Sequence, residues 1–293
     1  MPYHRTAHMN PPATSTVEAL LRAGARLLEA SSPSPRLDAE VLLAHALGWD
    51  RARLFMQQGQ LVPAATASRF LGDIDARRQG RPLAYISGRR AFWSLDLAVT
   101  PDVLVPRPET ELLVERALLR LPAGRPARVV DLGTGSGAIA LAIAAERPLA
   151  DILATDQSAA ALAVARANAQ QAGATGLRFA AGDWFAAVAG GVFDVVVSNP
   201  PYIADAEWAT ADPELAFEPR AALAAGPDGL DALRAIITGA PAQLAAGGWL
   251  LLEHGAGQGP AVRGLLESAG FSHVATCADL GGHPRVTEGQ RPG

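Results

Sequence analysis

Asn199-Pro200-Pro201-Tyr202 is the stretch of this chain best equipped for chemistry. The Asn199 side-chain oxygen is a hydrogen-bond acceptor. The Pro200 carbonyl is a second acceptor, its direction fixed by the adjoining Pro201. Tyr202 adds a flat face. Two acceptors and a face can grip a planar –NH2 group and leave its nitrogen aimed at an electrophile. The tetrapeptide follows an apolar run, Phe193-Asp-Val-Val-Val-Ser198, that reads as a buried strand. Proline lacks the N–H that a strand ladder needs, so the chain leaves the sheet here. Strand carboxyl ends are where open α/β sheets bind ligands. Taken alone, the four residues also fit a rigid turn.

A second constellation lies upstream. Asp131-Leu-Gly133-Thr134-Gly135-Ser136-Gly137 follows a strand pattern and opens a helix. Its glycines permit a tight turn and close approach of a ligand, which any Cβ would obstruct. The spacing G-x-G-x-G differs from the dinucleotide fingerprint G-x-G-x-x-G, so the turn by itself names no ligand. Asp156 stands at the end of the next strand pattern, where a carboxylate can accept from both hydroxyls of a ribose. Asp183 and Trp184 follow a third strand, placed to accept from an adenine amino group and to pack on its ring. A tight turn, a helix cap at Asp156 or Ser158 and a core position for Trp184 are the alternatives. In conjunction, three successive strand ends carry adenosine-compatible groups and the fourth carries Asn-Pro-Pro-Tyr.

The elements that must position these residues follow from periodicity. Strands are expected at 128–132, 151–155, 177–180, 193–198, 247–253 and 271–276, alternating with helices at 138–146, 158–172, 230–245 and 258–269. This alternation implies a mostly parallel sheet covered on both faces, an α/β fold. Upstream, helices are expected at 17–30, capped by Thr16, at 37–47, stopped by Gly48, and at 64–78. Short β-like runs from Tyr85-Ile86 to Val105 suggest a hairpin. Pro106-Arg-Pro-Glu-Thr-Glu111 then leads into a helix at 112–121, for which Thr110 or Glu109 can cap the start. The expected organisation is a disordered tail at 1–15, a helical domain at 16–83, a β-hairpin linker at 84–106 and a ligand-binding domain at 107–293.

Composition narrows the function. The chain has 293 residues, 49% of them hydrophobic, as globular proteins do. Twenty-five Lys and Arg against 29 Asp and Glu give a net charge of −4, which argues against duplex nucleic acid as a stable partner. The single cysteine, Cys277, excludes an internal disulfide and a thiolate metal cluster and fits a reducing compartment, the cytoplasm. It reads as a small filler of a late strand. No apolar run approaches the ~20 residues of a membrane helix, and Met1 to Pro12 lacks the apolar centre of a secretory signal. The six histidines show no metal-ligand spacing, so no metal is expected.

These residues together resemble the class I S-adenosylmethionine methyltransferases, and within them the release-factor glutamine methyltransferases of the HemK type. The resemblance spans roughly 16–290. It rests on Gly88 and Phe92, Val103-Leu-Val-Pro-Arg-Pro-Glu-Thr-Glu-Leu-Leu-Val114, Asp131 to Leu141 and Ser198-Asn-Pro-Pro-Tyr-Ile203. Later matches are Glu218-Pro219, Leu223, Gly226, Asp228-Gly-Leu230, Glu253-His-Gly255, Gln258-Gly259, Asp279-Leu-Gly and Arg285-Val. Asn-Pro-Pro-Tyr alone is shared with amino-methylating nucleic-acid enzymes; Pro-Arg-Pro-Glu-Thr-Glu beside it is far more specific. Gln290 departs from the family, where a basic residue is expected. The resemblance implies a Rossmann-like, mostly parallel seven-stranded sheet after a small all-α domain and a β-hairpin. It implies methyl transfer from S-adenosylmethionine to the side-chain amide nitrogen of the glutamine in the Gly-Gly-Gln loop of peptide chain release factors, leaving S-adenosylhomocysteine. The helical domain would help dock the release factor, and the protein would be a monomer. Gly133, Thr134, Gly135, Ser136, Gly137, Asp156, Asp183, Trp184 and Asn199 would form the cofactor site. Asn199, Pro200, Pro201 and Tyr202 would grip the glutamine, with Asn199, Pro200 and Tyr202 as the catalytic groups. Glu253 can line the site, while His254 reads as a capping or structural histidine. The competing readings are a methyltransferase acting on adenine or cytosine in nucleic acid or on another protein glutamine, and a non-catalytic adenosine-binding module.

Overall fold

The computed structural model describes residues 15–188 and 190–293. The chain divides into two compact units, one ending at Gly88 and one running from Arg89 to Gly293. Of the expected tail, residues 1–14 lie outside the described residues, and Ser15 pairs with Val62.

In the first unit, strands β1 (Ser15–Thr16) and β2 (Leu61–Val62) pair antiparallel around a helical bundle. Thr16 accepts from the Ala19 N–H at 3.2 Å and so caps α1 (Val17–Leu28). α2 (Pro35–Leu47) begins on a proline, whose missing N–H is harmless in a first turn, and ends at Gly48 in the left-handed conformation. α3 (Arg51–Met56), capped by Asp50, is a short helix that the apolar spacing does not announce; α4 (Ala64–Arg78) follows. Leu21, Leu28, Leu42, Leu43 and Leu54 bury around Phe70 and Ile74. Asp38, also buried, accepts from Arg77 Nε at 2.7 Å, so α2 and α4 are joined by a buried ion pair.

Tyr85 and Ile86 are helical, not β-like: α5 runs over Leu83–Ser87, between Pro82 and Gly88. A short apolar run does not distinguish strand from helix. Here Pro82 at the start and a left-handed Gly88 at the end decide for the helix. The hairpin itself, β3 (Arg89–Phe92) and β4 (Leu95–Ala98), lies in the second unit.

The rest of the second unit runs through a 3₁₀ turn (Pro108–Thr110), α6 (Glu111–Arg120), β5 (Ala127–Leu132), α7 (Ala138–Glu146), β6 (Ala150–Asp156) and α8 (Ala159–Gln171). It continues through β7 (Arg178–Ala181), β8 (Phe193–Ser198), α9 (Asp231–Gln243), β9 (Leu244–Glu253), α10 (Gly259–Ser268), β10 (Ser272–Ala278) and β11 (Pro284–Gln290). Seven strands form one sheet in the order β10-β11-β9-β8-β5-β6-β7. β7, β6, β5, β8 and β9 run parallel; β11 is antiparallel to both neighbours. This is the expected α/β architecture.

The pleat sorts side chains to two faces. Val129, Val195, Val197 and Leu251 pack with α6 and α7, whereas Val130, Val196, Leu250 and Leu252 pack with α9 and α10. Periodicity does not reveal β11, because its buried positions include Thr287 and Glu288. Glu288 is tolerated in the interior because Arg116 and Arg120 of α6 both pair with it.

Candidate active site

Four neighbouring strands end on one cavity, of about 210 Å³. That is an order of magnitude more than a single ordered water needs. Its wall contains Gly133, Thr134, Gly135 and Ser136 after β5, Asp156 and Ser158 after β6, Asp183 and Trp184 after β7, and Asn199, Pro200 and Pro201 after β8. Val103, Leu104, Pro106 and Thr110 close it from the segment before α6, and Pro219, Ala221 and Ala222 from the connection between β8 and α9.

The glycine turn is left-handed at Gly133 and Gly135, with φ of 71° and 55°. It is held from both sides. The Thr134 N–H donates to the Thr155 carbonyl at 2.8 Å. Asp156 Oδ2 accepts from the Gly135 N–H and its Oδ1 from the Ser158 N–H, each at 2.9 Å. Asp156 is therefore not the cap of α8; Ser158 is, accepting from the Ala161 N–H at 3.1 Å. The buried Asn168 supports the turn from α8, donating to the Ser136 carbonyl at 2.8 Å. Gly137 stands off the wall. It starts α7 at φ 84°, and a Cβ there would sit 3.3 Å from both Ala165 and Leu141, so its lack of a side chain serves helix packing. Trp184 does both things the sequence allows: it lines the cavity and packs on the cluster beneath. Its φ of 41° is unusual for a bulky residue and typical of strained backbone at ligand sites.

Asn199 donates from Nδ2 to Thr110 Oγ1 at 3.2 Å. Its Oδ1 is buried and, among the described residues, has no hydrogen-bond partner. Thr110 does not cap α6, contrary to the capping expected of it or Glu109; its hydroxyl accepts from Asn199 and lies against Glu253. Against Thr110 lies Glu253, at the end of β9, fully buried and with Oε2 also unpartnered among the described residues. Burial lifts the Glu253 carboxyl to about 7; the Thr110 hydroxyl, Arg285 and the Tyr202 hydroxyl oppose that rise and Glu109 adds to it. Tyr202 is not in the cavity wall. Its hydroxyl stands beside Glu253, and burial pushes its pKa up. Its carbonyl accepts from Gln258 Nε2 at 3.0 Å.

Asp131 lies buried under the glycine turn, where Thr134 Oγ1 donates to its Oδ2 at 2.6 Å. Burial raises it too, to about 7, and its Oδ1 is unpartnered among the described residues. Glu218 joins two walls: it accepts from the Val105 N–H at 3.0 Å and pairs with Arg107. His254 is buried and spoken for, Nδ1 donating to the Gly255 carbonyl at 2.9 Å and Nε2 accepting from Thr287 Oγ1 at 2.8 Å. It is a structural histidine. Among the described residues no group of three or more His, Cys, Asp or Glu is gathered to hold a metal ion, and no helix is long and apolar enough to cross a membrane.

The sheet order and the cavity at its strand ends define a class I methyltransferase fold. A crystal structure of a methyltransferase from Pyrococcus furiosus superposes with a TM-score of 0.54 at 19% identity, covering 74% of this chain and 99% of that one. Family models described as PrmC N-terminal domain and methyltransferase small domain match residues 18–88 and 108–226. The release factor glutamine methyltransferase of Xylella fastidiosa (strain Temecula1) is 52% identical over 269 residues, 92% of this chain and 98% of its own length. That of Burkholderia pseudomallei is 49% identical over 288 residues, 96% of this chain and 98% of its own. The chain belongs to the release factor glutamine methyltransferase family.

Proposed function

We propose that this protein methylates the side-chain amide nitrogen of the glutamine in the Gly-Gly-Gln loop of a peptide chain release factor. The observation that carries the reading is the Asn199 carboxamide. Its nitrogen is pinned to Thr110 and its oxygen is a buried acceptor without a donor. Such an orphan costs free energy that an incoming N–H recovers.

The methyl donor of this reading is S-adenosylmethionine, which when bound supplies an electrophilic methyl on a sulfonium. The residues present suit it. The left-handed glycine turn is a cradle that side chains would fill. Asp156 accepts for ribose, Asp183 for the adenine amino group, and Trp184 packs beside the ring.

An amide nitrogen is a weak nucleophile because its lone pair is delocalised into the carbonyl. Asn199 Oδ1 and the Pro200 carbonyl accept its two N–H groups, raise electron density on nitrogen and fix its direction. Proximity and preorganised dipoles are the protein's contribution. On transfer the amide nitrogen would gain the methyl as the methyl–sulfur bond breaks with its electron pair left on sulfur, and one amide proton would pass to a carbonyl or water. Tyr202 takes part through its hydroxyl at Glu253, since its ring is off the cavity wall. The helical unit helps dock the release factor.

The test is mass spectrometry of a release factor incubated with this protein and S-adenosylmethionine. A mass increase of one methylene on the loop glutamine is expected. Methylation elsewhere, or of RNA or DNA instead, overturns the reading.

A further inference from the structure

Resting on that reading, we infer that Glu253, acting through the Thr110 hydroxyl, is the positioning residue that fixes which end of the Asn199 amide is offered to the substrate. An amide side chain presents either an acceptor or a donor, and only the acceptor end can take a substrate N–H. The choice is made by what holds the other end. Thr110 Oγ1 accepts from Asn199 Nδ2 at 3.2 Å. A hydroxyl has one proton, and that of Thr110 must therefore point away from Asn199. The group lying against it is the buried Glu253 carboxyl.

As a carboxylate, Glu253 can only accept. It draws the Thr110 proton, leaves the Thr110 lone pair for Asn199 Nδ2, and keeps Asn199 Oδ1 free. A group that can also donate at this position, a protonated carboxyl or a glutamine amide, no longer enforces this direction and admits the reversed chain. Thr110 would then donate toward Asn199, the amide would turn to accept, and its –NH2 would face a substrate that also brings –NH2. The other groups facing Glu253 are the Tyr202 hydroxyl from the turn after β8, Glu109 from the 3₁₀ turn and Arg285 from β11. Arg285 is itself paired with Asp279 at 3.3 Å. Burial brings the Glu253 carboxyl to about 7, so the loss of its own donor proton, after which it can only accept, falls within an ordinary assay range.

The experiment uses the full chain, a release factor and S-adenosylmethionine, with kcat and KM followed from about pH 6 to about pH 9 and cofactor affinity measured by calorimetry. In the wild type, kcat should rise roughly tenfold through neutrality. Glu253→Gln and Thr110→Val should each lower kcat by about tenfold or more and flatten that limb, with cofactor affinity and KM within about threefold. Thr110→Ser, which keeps the hydroxyl, should stay within about threefold of wild type. The double variant Thr110→Val/Glu253→Gln should be no worse than about twofold below the weaker single, because both changes break one chain. Wild-type kcat and pH profile in Glu253→Gln overturn the inference, as does a double variant whose loss is the product of the singles. If Glu253→Gln does not fold, the contrast of Thr110→Val with Thr110→Ser decides. Asn199→Ala separates this inference from the reading beneath it. An inactive Asn199→Ala beside an unaffected Glu253→Gln sinks only the positioning chain; an active Asn199→Ala sinks the grip itself.

Discussion

The Asn199 side-chain nitrogen donates to the Thr110 hydroxyl at 3.2 Å, across 89 positions of sequence. The bond ties the turn after β8 to the turn before α6. It explains why two proline-stiffened segments, Pro106-Arg-Pro108 and Asn199-Pro-Pro201, stand at one site: each fixes a backbone whose side chain must meet the other's. It also leaves a single free polar function on Asn199, the acceptor that the proposed reaction requires.

Asn199→Ala should lower turnover by about 10²- to 10³-fold, the usual effect of removing one preorganised polar contact to a reacting group. Its affinity for S-adenosylmethionine should stay within a few-fold of wild type by calorimetry. Near-normal kcat would remove the central support of the proposed function.

Asp156→Ala should act on the cofactor and not on the chemical step. The carboxylate is wanted for ribose, and it already holds the Gly135 and Ser158 N–H groups at 2.9 Å. Hydrogen bonds to a charged group are worth about 1.5–3 kcal/mol, so cofactor affinity should fall by roughly 10- to 100-fold. Unchanged affinity would show that Asp156 serves only the turn.

Much of this site is legible along the chain because its parts are local. Gly133 to Ser136, Asp156, Asp183, Trp184 and Asn199 to Pro201 each close a strand that apolar periodicity announces, and the sheet brings the strand ends together. What is not legible depends on partners distant in sequence. Thr110 reads as a helix cap until Asn199 is placed beside it. Glu218 gives no sign of its hold on Val105 and Arg107 beyond a Glu-Pro pair. β11 is hidden because Glu288 is buried only by virtue of two arginines from α6. Gly137 reads as part of the ligand turn, whereas its neighbours show that it makes room for Ala165 and Leu141.

Two glycines in the first unit should respond oppositely to alanine. A Cβ on Gly24 in α1 would come within 2.7 Å of Phe70 Cζ and 3.1 Å of Ile74 Cδ1. Overpacking of about 1–3 kcal/mol should outweigh the gain of about 1 kcal/mol in helix propensity, so Gly24→Ala destabilises. Gly72 in α4 has nothing within 4 Å of its Cβ position. Gly72→Ala should stabilise by about 0.5–1 kcal/mol. Urea midpoints of the two variants test the contrast, and a stabilised Gly24→Ala would show that the Phe70 ring moves aside freely.

Glu253→Gln should change how stability depends on pH, and the sign follows from burial. The Glu253 carboxyl sits at about 7 in the folded chain against an ordinary value of 4.5. The folded state thus binds the proton more tightly than the unfolded one. The stability this confers is complete below the unfolded pKa and is lost as pH rises through the folded one. Above neutrality the native protein must hold a buried carboxylate with one oxygen unpartnered among the described residues. Glutamine has no such ionisation. Relative to wild type, the variant should therefore gain stability between about pH 5 and about pH 8, by up to about 3 kcal/mol on the conversion of 1.36 kcal/mol per pKa unit. Asp131, raised to about 7 by the same cause, keeps the variant's own curve from being flat, so the difference between the two proteins is the quantity to follow. Denaturant titrations at both pH values measure it. A difference that stays constant would mean that Glu253 ionises in the folded protein as easily as in the unfolded chain. The burial that makes it a costly neighbour for Thr110 would then be relieved by solvent.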